Sequence, residues 1–205
     1  MTKNHPAAIY HDLITTIVAA LEAKDSFTAD HSLRVSNMTE RSCRLLNLSE
    51  EETEIIHMAA HVHDIGKIGV PDAILTKAGP LTEAEWFHIR QHPHIGAKIL
   101  QQSSGLEDIA KIVLHHHERW DGRGYPDGLK GTDIPLGSRI IAVCDSIDAM
   151  TAPRVYRSML SLEECREEIR KNRGTMYDPD IADTVVNQWD RIAELAYTPP
   201  VIGNA

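Results

Sequence analysis

The sequence predicts an all-α protein folded as one domain. Three observations carry that expectation. Apolar residues recur at helical spacing along most of the 205 residues. A Ser or Thr with Glu three positions later opens three of the periodic stretches: Ser49 with Glu52, Thr82 with Glu85, and Ser161 with Glu164. No stretch alternates apolar and polar residues over the length of a strand.

Ile9, Leu13, Ile17 and Leu21 recur every fourth residue and predict an amphipathic first helix over about 7–24, with this face against the rest of the domain. Val35, Met38, Ser42 and Leu45 mark the inner face of a second helix, and one turn further back on that face stands His31. The capping box at Ser49 starts a third helix. Its inner face of Ile55 or Ile56, Ala59 and Val62 ends at His63 and Asp64. Residues 66–80 carry enough glycine and proline for a loop, with one short turn over 72–75. The box at Thr82 starts the next helix; His92-Pro93 breaks it and starts another, IGAKILQQSS, which Gly105 is expected to cap. Residues 106–117 read as helix again. WDGRGYPDGLKGTDIP is a long loop, and loops of that length usually carry function. A buried helix over 137–150 holds Asp145 on the same side as Ile141 and Ala142, a further helix runs from Ser161 to Gly174, and IADTVVNQWDRIAELA forms the last. The expected organisation is an N-terminal helix over 1–24 packing on a domain of 25–197, with a flexible tail at 198–205.

Hydrophobic content of 42% and charged content of 25% are ordinary for a globular protein and speak against disorder. No apolar run nears the roughly 20 residues of a membrane span, and the first residues lack a leader's apolar stretch, so the expectation is a cytoplasmic protein without membrane contact. A net charge of −9 disfavours long nucleic acid, which is gripped by broad basic surfaces, but leaves room for a small anion held by a few placed cations. Cys43, Cys144 and Cys165 are odd in number and form no CxxC pair, so they are expected as core residues. Against 2 Phe the chain carries 12 His, and where those fall is the informative feature.

His63 with Asp64, His92 before Pro93, and His116 with His117 stand at helix ends; His31 and Asp145 stand on core-facing positions. Any one of them alone would more often be a hydrogen-bonded core group or a solvated helix end. Five imidazoles and two carboxylates together, all turned inward or placed at helix termini, are costly to bury without a cation that pairs with them, which predicts a metal site. His5, His11, His57, His88 and His94 read as surface or supporting groups. His61 and His115 flank the set as candidate hydrogen-bond partners of the ligands.

HDIGKIGVPDAIL, LTEAEW, HPHIGAKIL, HHERWDGRGYPDGL, IPLGSRIIAVCDSIDAMT and RVYR follow one another in the order of the HD-GYP family's motifs, and the chain resembles that family from about Asp25 to Asp180. The resemblance implies a helical bundle of the HD-domain type around a polynuclear metal centre. It also implies hydrolysis of the second messenger cyclic di-GMP to pGpG, and onward to GMP. Carried over by position, one metal would be held by His31, His63, Asp64 and Asp145, the second by His92, His116 and His117, with Asp64 bridging. Where some members place a glutamate for a third metal, this chain has Phe27, so two divalent ions are expected. Iron or manganese is favoured by the resemblance; zinc, cobalt and nickel also suit nitrogen and oxygen donors.

Two cations about 3.5–4 Å apart would acidify a bridging hydroxide and draw charge from a phosphodiester. Asp64 and Lys67 are therefore the expected catalytic residues, Lys67 placing an ammonium beside the phosphate. Arg154 and Arg157 would clamp the substrate's other phosphate. Gly124, Tyr125 and Pro126 would form a rim, with Tyr125, an exposed aromatic in a glycine-rich loop with no core to join, stacking on or hydrogen-bonding a guanine or meeting a partner such as a diguanylate cyclase domain. Departures from the family pattern fall at Ala152, Pro153 and Val155 beside Arg154, at Lys77-Ala78-Gly79, and at His61, a place often apolar. Two other readings stand beside the first: hydrolysis of the mixed GMP–AMP cyclic dinucleotide, and a regulatory module that binds the ligand or a partner without turnover. The chain is expected as a monomer or as a homodimer through the first helix, and either acts alone or follows a sensory domain.

Overall fold

A computed structural model describes residues 14, 16–20, 30–152 and 159–196. Its elements are helical: α1 (His31–Leu45), α2 (Glu50–Val62), α3 (Asp72–Leu75), α4 (Glu83–Ile89), α5 (His92–Leu100), α6 (Glu107–Leu114), α7 (Leu136–Thr151), α8 (Leu162–Lys171), α9 (Pro179–Asn187) and α10 (Trp189–Ala193). Short 3-10 turns cover Ile65–Gly69, Ser104–Leu106 and Gly131–Asp133. Among the described residues there is no strand, only a single bridge between Arg173 and Tyr177. None of the described helices is long and apolar enough to cross a membrane.

All three capping boxes form. At α2 the Ser49 hydroxyl accepts from the Glu52 amide while the Glu52 carboxylate accepts from the Ser49 amide, and the same exchange opens α4 and α8. Helix α1 packs on α2 and α7, and α6 packs on α2 and α5. Val35, Met38, Val113, Ile140, Ile141, Ile147, Ile169 and Ile192 fill the space between them. Cys43, Cys144 and Cys165 are buried there as free thiols, as expected from their number and spacing. Burial pushes the Cys43 thiol up to about 12 and the Cys144 thiol up to about 11.

Several local expectations need correction. In the described part of the first helix, Val18 is 6% exposed and Ile14 is half-buried against the core, whereas Ile17 is 51% exposed. Ile14 and Val18, four apart, share the buried face; Ile17 lies to the side of it. The stretch after Asp64 is a 3-10 turn, where a loop was expected. Helix α5 ends at Leu100, where amides 101 and 102 turn back onto the carbonyls of Ala97 and Ile99, so Gly105 lies in the following 3-10 turn and caps nothing. Helix α6 stops at Leu114, which leaves His115, His116 and His117 in a turn beyond its end. The expected last helix is two, broken at Gln188, and after the break Trp189, Ile192 and Ala193 are buried. Residues 197–205, which include the whole expected tail at 198–205, lie outside the described residues.

Two glycines permit the close approaches that build the interior. A Cβ on Gly66 would stand 1.8 Å from the His92 carbonyl oxygen and 2.5 Å from the Gly96 amide nitrogen, so backbone meets backbone where the 3-10 turn at Ile65–Gly69 crosses the start of α5. That crossing puts Asp64 beside His92. A Cβ on Gly124 would lie 2.4 Å from the Arg119 amide nitrogen, and there the long loop folds back on its own root. The loop is pinned at several points. Glu118 accepts from the amides of Asp127 and Gly128 at 2.7 and 2.9 Å, the Trp120 and Asp121 amides donate to the carbonyls of Met176 and Thr175, and the Tyr125 amide donates to that of His117. The Tyr125–Pro126 peptide is cis.

Candidate metal centre

Each of four histidines is held by its Nδ1 and presents its Nε2 inward. His63 caps the C-terminus of α2 and donates to the Ala60 carbonyl at 2.7 Å. His92, the first residue of α5, donates to the Ile89 carbonyl at 2.7 Å, and His116, just past α6, donates to the Val113 carbonyl at 2.6 Å. His31, the first residue of α1, meets the Asp148 carboxylate at 2.7 Å. A carbonyl or carboxylate oxygen can only accept, so in each neutral ring the proton sits on Nδ1 and Nε2 carries a lone pair.

Those lone pairs are turned toward each other. His31 Nε2 lies 3.3 Å from His63 Nε2, and His92 Nε2 lies 3.3 Å from His116 Nε2, all four rings buried. Burial lowers the pKa of His92, lowers that of His116 well below its usual value, and takes His117 down to about 3, so these three rings are neutral at physiological pH. The facing Nε2 atoms of neutral His92 and His116 are both acceptors and repel unless a cation lies between or beside them, whereas at His31 burial opposes the charge but the bond to Asp148 and the nearby carboxylates outweigh it and raise the pKa. The donor set therefore fits divalent metal ions, and its all-nitrogen-and-oxygen chemistry agrees with the expectation from sequence.

The carboxylates complete two groups. One ligand atom each from Asp64, His92, His116 and His117 lie within 4.8 Å of one another, and so do those from His31, His63 and Asp145. Asp64 faces both: Oδ1 is 3.3 Å from His92 Nε2, while Oδ2 is 3.5 Å from His63 Nε2 and 3.7 Å from His31 Nε2. Burial would raise the Asp64 pKa, but the Lys67 ammonium 2.6 Å from Oδ2 holds the carboxyl well below its ordinary range. Asp145 stands 3.5 Å from His31 Nε2; burial opposes its charge too, and the surrounding imidazoles, His31 first, keep its pKa low.

All seven residues singled out as ligands thus come together from five separate places in the chain, with Lys67 against Asp64. Tyr125 departs from expectation. It was expected as an exposed aromatic with no core to join, yet it is half-buried with one face stacked on His117, centroids 4.9 Å apart and planes 30° apart. Gly124 and Pro126 flank it in the loop, and Arg154, Arg157 and Phe27 lie outside the described residues. His115 holds the loop through Asp127 at 3.0 Å, and His61 meets His57, nitrogen to nitrogen, at 3.2 Å.

Three supporting residues escaped the reading of the sequence. Asp148 is 1% exposed and accepts from His31 Nδ1 and from Arg34 Nε at 2.5 Å and Nη2 at 3.1 Å. Arg34 and Asp148 each stand three residues past a ligand, His31 and Asp145, and so one turn along the same side of their helices; that matched spacing was the available signal. Glu118 follows the histidine pair directly, and its partners, the Asp127 and Gly128 amides, lie nine and ten residues on.

Against known proteins, residues 16–181 match the family model described as HD domain. The chain is 37% identical over 191 residues to 3'3'-cGAMP-specific phosphodiesterase 2 of Vibrio cholerae, a match covering 92% of this chain and 37% of the relative. It is 40% identical over 177 residues to the cyclic di-GMP phosphodiesterase response regulator RpfG of Xanthomonas campestris pv. campestris, covering 85% of this chain and 47% of the relative. This chain therefore spans less than half the length of either. Among solved structures, the cyclic GMP-AMP specific phosphodiesterase V-cGAP3 of V. cholerae superposes with a TM-score of 0.68 at 20% identity, over 91% of this chain and 50% of that one. With 16–181 matched and the fold shared, the chain belongs to the HD-domain family, whose HD-GYP branch its motifs resemble.

Proposed function

We propose that this chain is a metal-dependent phosphodiesterase that opens a cyclic dinucleotide, cyclic di-GMP foremost, to the linear pGpG. The observation that carries the reading is the pair of inward-facing ligand groups sharing Asp64. His31, His63, Asp64 and Asp145 would hold one divalent ion, and Asp64, His92, His116 and His117 a second, with iron or manganese favoured over zinc, cobalt or nickel. Bound there, two such ions supply a nucleophile at neutral pH and neutralise charge on the phosphoryl oxygens.

The chain's own groups do the rest. The Nδ1 bonds hold each ring so that no reorganisation is needed when the ligand set fills. Lys67 brings a positive charge to the edge of the centre where negative charge gathers in the transition state. Asp148 holds His31 against rotation, and Arg34 keeps Asp148 ionised. The stacked Tyr125 and the pinned loop wall off the His117 side and narrow the approach to it. Arg154 and Arg157 remain proposed contacts of the second phosphate, and the Gly124–Pro126 turn a proposed contact of the substrate or of a cyclase partner.

The relatives' names divide between cyclic di-GMP and the mixed GMP–AMP dinucleotide, which supports the latter as a second reading of the same site. A binding module without turnover is disfavoured because the ligand set and Lys67 are intact. Incubating the metal-loaded chain with cyclic di-GMP, 3'3'-cGAMP and cyclic di-AMP, and separating products by chromatography, tests the proposal. Linear dinucleotide from cyclic di-GMP at the highest kcat/KM is the expected result. Preference for 3'3'-cGAMP would transfer the proposal to the second reading, and no product from any of the three would refute both.

A further inference from the structure

We propose that Arg90 binds the second, uncut phosphate of the cyclic dinucleotide, with the Trp86 and Tyr125 rings beside its guanidinium. This rests on the phosphodiesterase reading above. Arg90 follows the last residue of α4, and its amide donates to the Trp86 carbonyl one turn back, so the two side chains leave the helix on the same side. Its guanidinium carbon lies 5.7 Å from the centroid of the Trp86 ring and 5.9 Å from that of Tyr125. Tyr125 in turn stacks on His117, and the residue preceding Arg90, Ile89, supplies the carbonyl that orients His92. Arg90 is thus one ring away from one ligand and two residues along the chain from another.

Its charge is uncommitted where its neighbours' charges are not. Lys67 is paired with Asp64, Arg34 with Asp148, and Arg119 with Asp121. The Arg90 side chain makes no ion pair or hydrogen bond with any described residue, and it is exposed. Rings against the guanidinium leave its N–H donors projecting from its edges, the geometry that grips a phosphate in two parallel bonds. A cyclic dinucleotide has two phosphates. With one at the centre, the other lies toward the rim, where Arg90 would join the proposed contacts Arg154 and Arg157, since a chain of net charge −9 does not supply positive charge there from its general field.

The test uses the metal-loaded chain, its Arg90→Ala and Arg90→Lys variants, three cyclic dinucleotides (cyclic di-GMP, 3'3'-cGAMP and cyclic di-AMP), and bis(p-nitrophenyl) phosphate, which has a single phosphate. For Arg90→Ala the KM of every dinucleotide that the parent opens should rise roughly ten- to a hundredfold while kcat changes little. Arg90→Lys should recover part of that, and the loss in kcat/KM on bis(p-nitrophenyl) phosphate should be smaller by about tenfold or more. Unchanged KM for the dinucleotides overturns the proposal, as does an equal loss on both kinds of substrate, which would make Arg90 a structural group. In a parent that also opens cyclic di-AMP, a loss confined to guanine-bearing dinucleotides overturns it as well, because Arg90 would then be reading the O6 and N7 edge of the base. If the parent cleaves bis(p-nitrophenyl) phosphate and opens no cyclic dinucleotide, the cyclic-dinucleotide reading itself falls and Arg90 with it; if the parent opens them and the variant is unaltered, only the role of Arg90 falls.

Discussion

Replacing Asp148 by alanine should damage both the fold and the metal centre. The carboxylate is 1% exposed and receives three hydrogen bonds, one from His31 Nδ1 and two from Arg34, whose side chain is 19% exposed. Truncation would leave a largely buried guanidinium without its partner, a change that costs about 3–5 kcal/mol in buried pairs, with the lower end apt here because Arg34 keeps some solvent. In a chain of this size 1 kcal/mol corresponds to about 2–4 °C, so the chelator-treated variant should melt roughly 6–20 °C below its parent. His31 would also lose the acceptor that fixes its ring, and supporting contacts of this kind are worth about 10–100-fold in metal affinity.

Thermal unfolding without metal and competition titration against a chromophoric chelator separate the two effects. Asp148→Asn, which keeps the shape and one acceptor for His31 but not the charge, should fall between parent and alanine in both. Burial opposes the Asp148 charge, but the bonds from His31 and Arg34 outweigh it and lower its pKa. Its contribution is therefore complete above the unfolded carboxylate value of about 4 and disappears as pH falls through the lower folded value. The parent's excess stability over Asp148→Asn should shrink in that acid window. A melting temperature for Asp148→Ala within about 2 °C of the parent, together with unchanged metal affinity, would refute the reasoning.

Three further outcomes are expected. Gly66→Ala should push the 3-10 turn off α5, separate Asp64 from His92 and leave the chain short of metal; full metal loading by elemental analysis would contradict the tight crossing. Lys67→Ala should retain metal and lose about 10²–10³ in kcat, the usual worth of one preorganised donor to transition-state charge, and a preserved rate would remove Lys67 from the chemistry. Burial raises Cys144 to about 11, and Cys43 and Tyr177 to about 12. Between roughly pH 9 and 12 the unfolded chain gives up these protons first, so stability should be level below that window and fall through it; denaturant midpoints that stay flat from pH 8 to 11 would contradict the burial of these groups.

What could be read from the residues alone was what is locally determined. Capping boxes involve four consecutive residues, and all three formed. The candidate ligands that the fold brings together stood out because helix-terminal histidines and inward-facing carboxylates make poor core without a cation, whatever the exact packing. What failed depends on tertiary contacts. Whether Ile17 or Val18 is buried turns on helix rotation by one position, and the break at Gln188 comes with the burial of Trp189, which periodicity does not reveal. Tyr125 was expected as exposed because its surroundings in sequence are glycine and proline; that the loop folds back over His117 follows from Glu118 and Gly124, whose partners are a turn of chain away. Asp148 and Arg34 were hidden for a related reason: each reads as an ordinary helix charge until α1 is laid against α7.

The central claim is that seven side chains from separate elements form one centre for two divalent ions that Asp64 joins. It is tested most directly by elemental analysis of the chain purified anaerobically with iron or manganese, beside Asp64→Ala prepared in the same way. Two metals per parent chain and a loss of metal from both groups in the variant is the expected result. A parent that holds one metal or none, or a variant that keeps both, would contradict the claim.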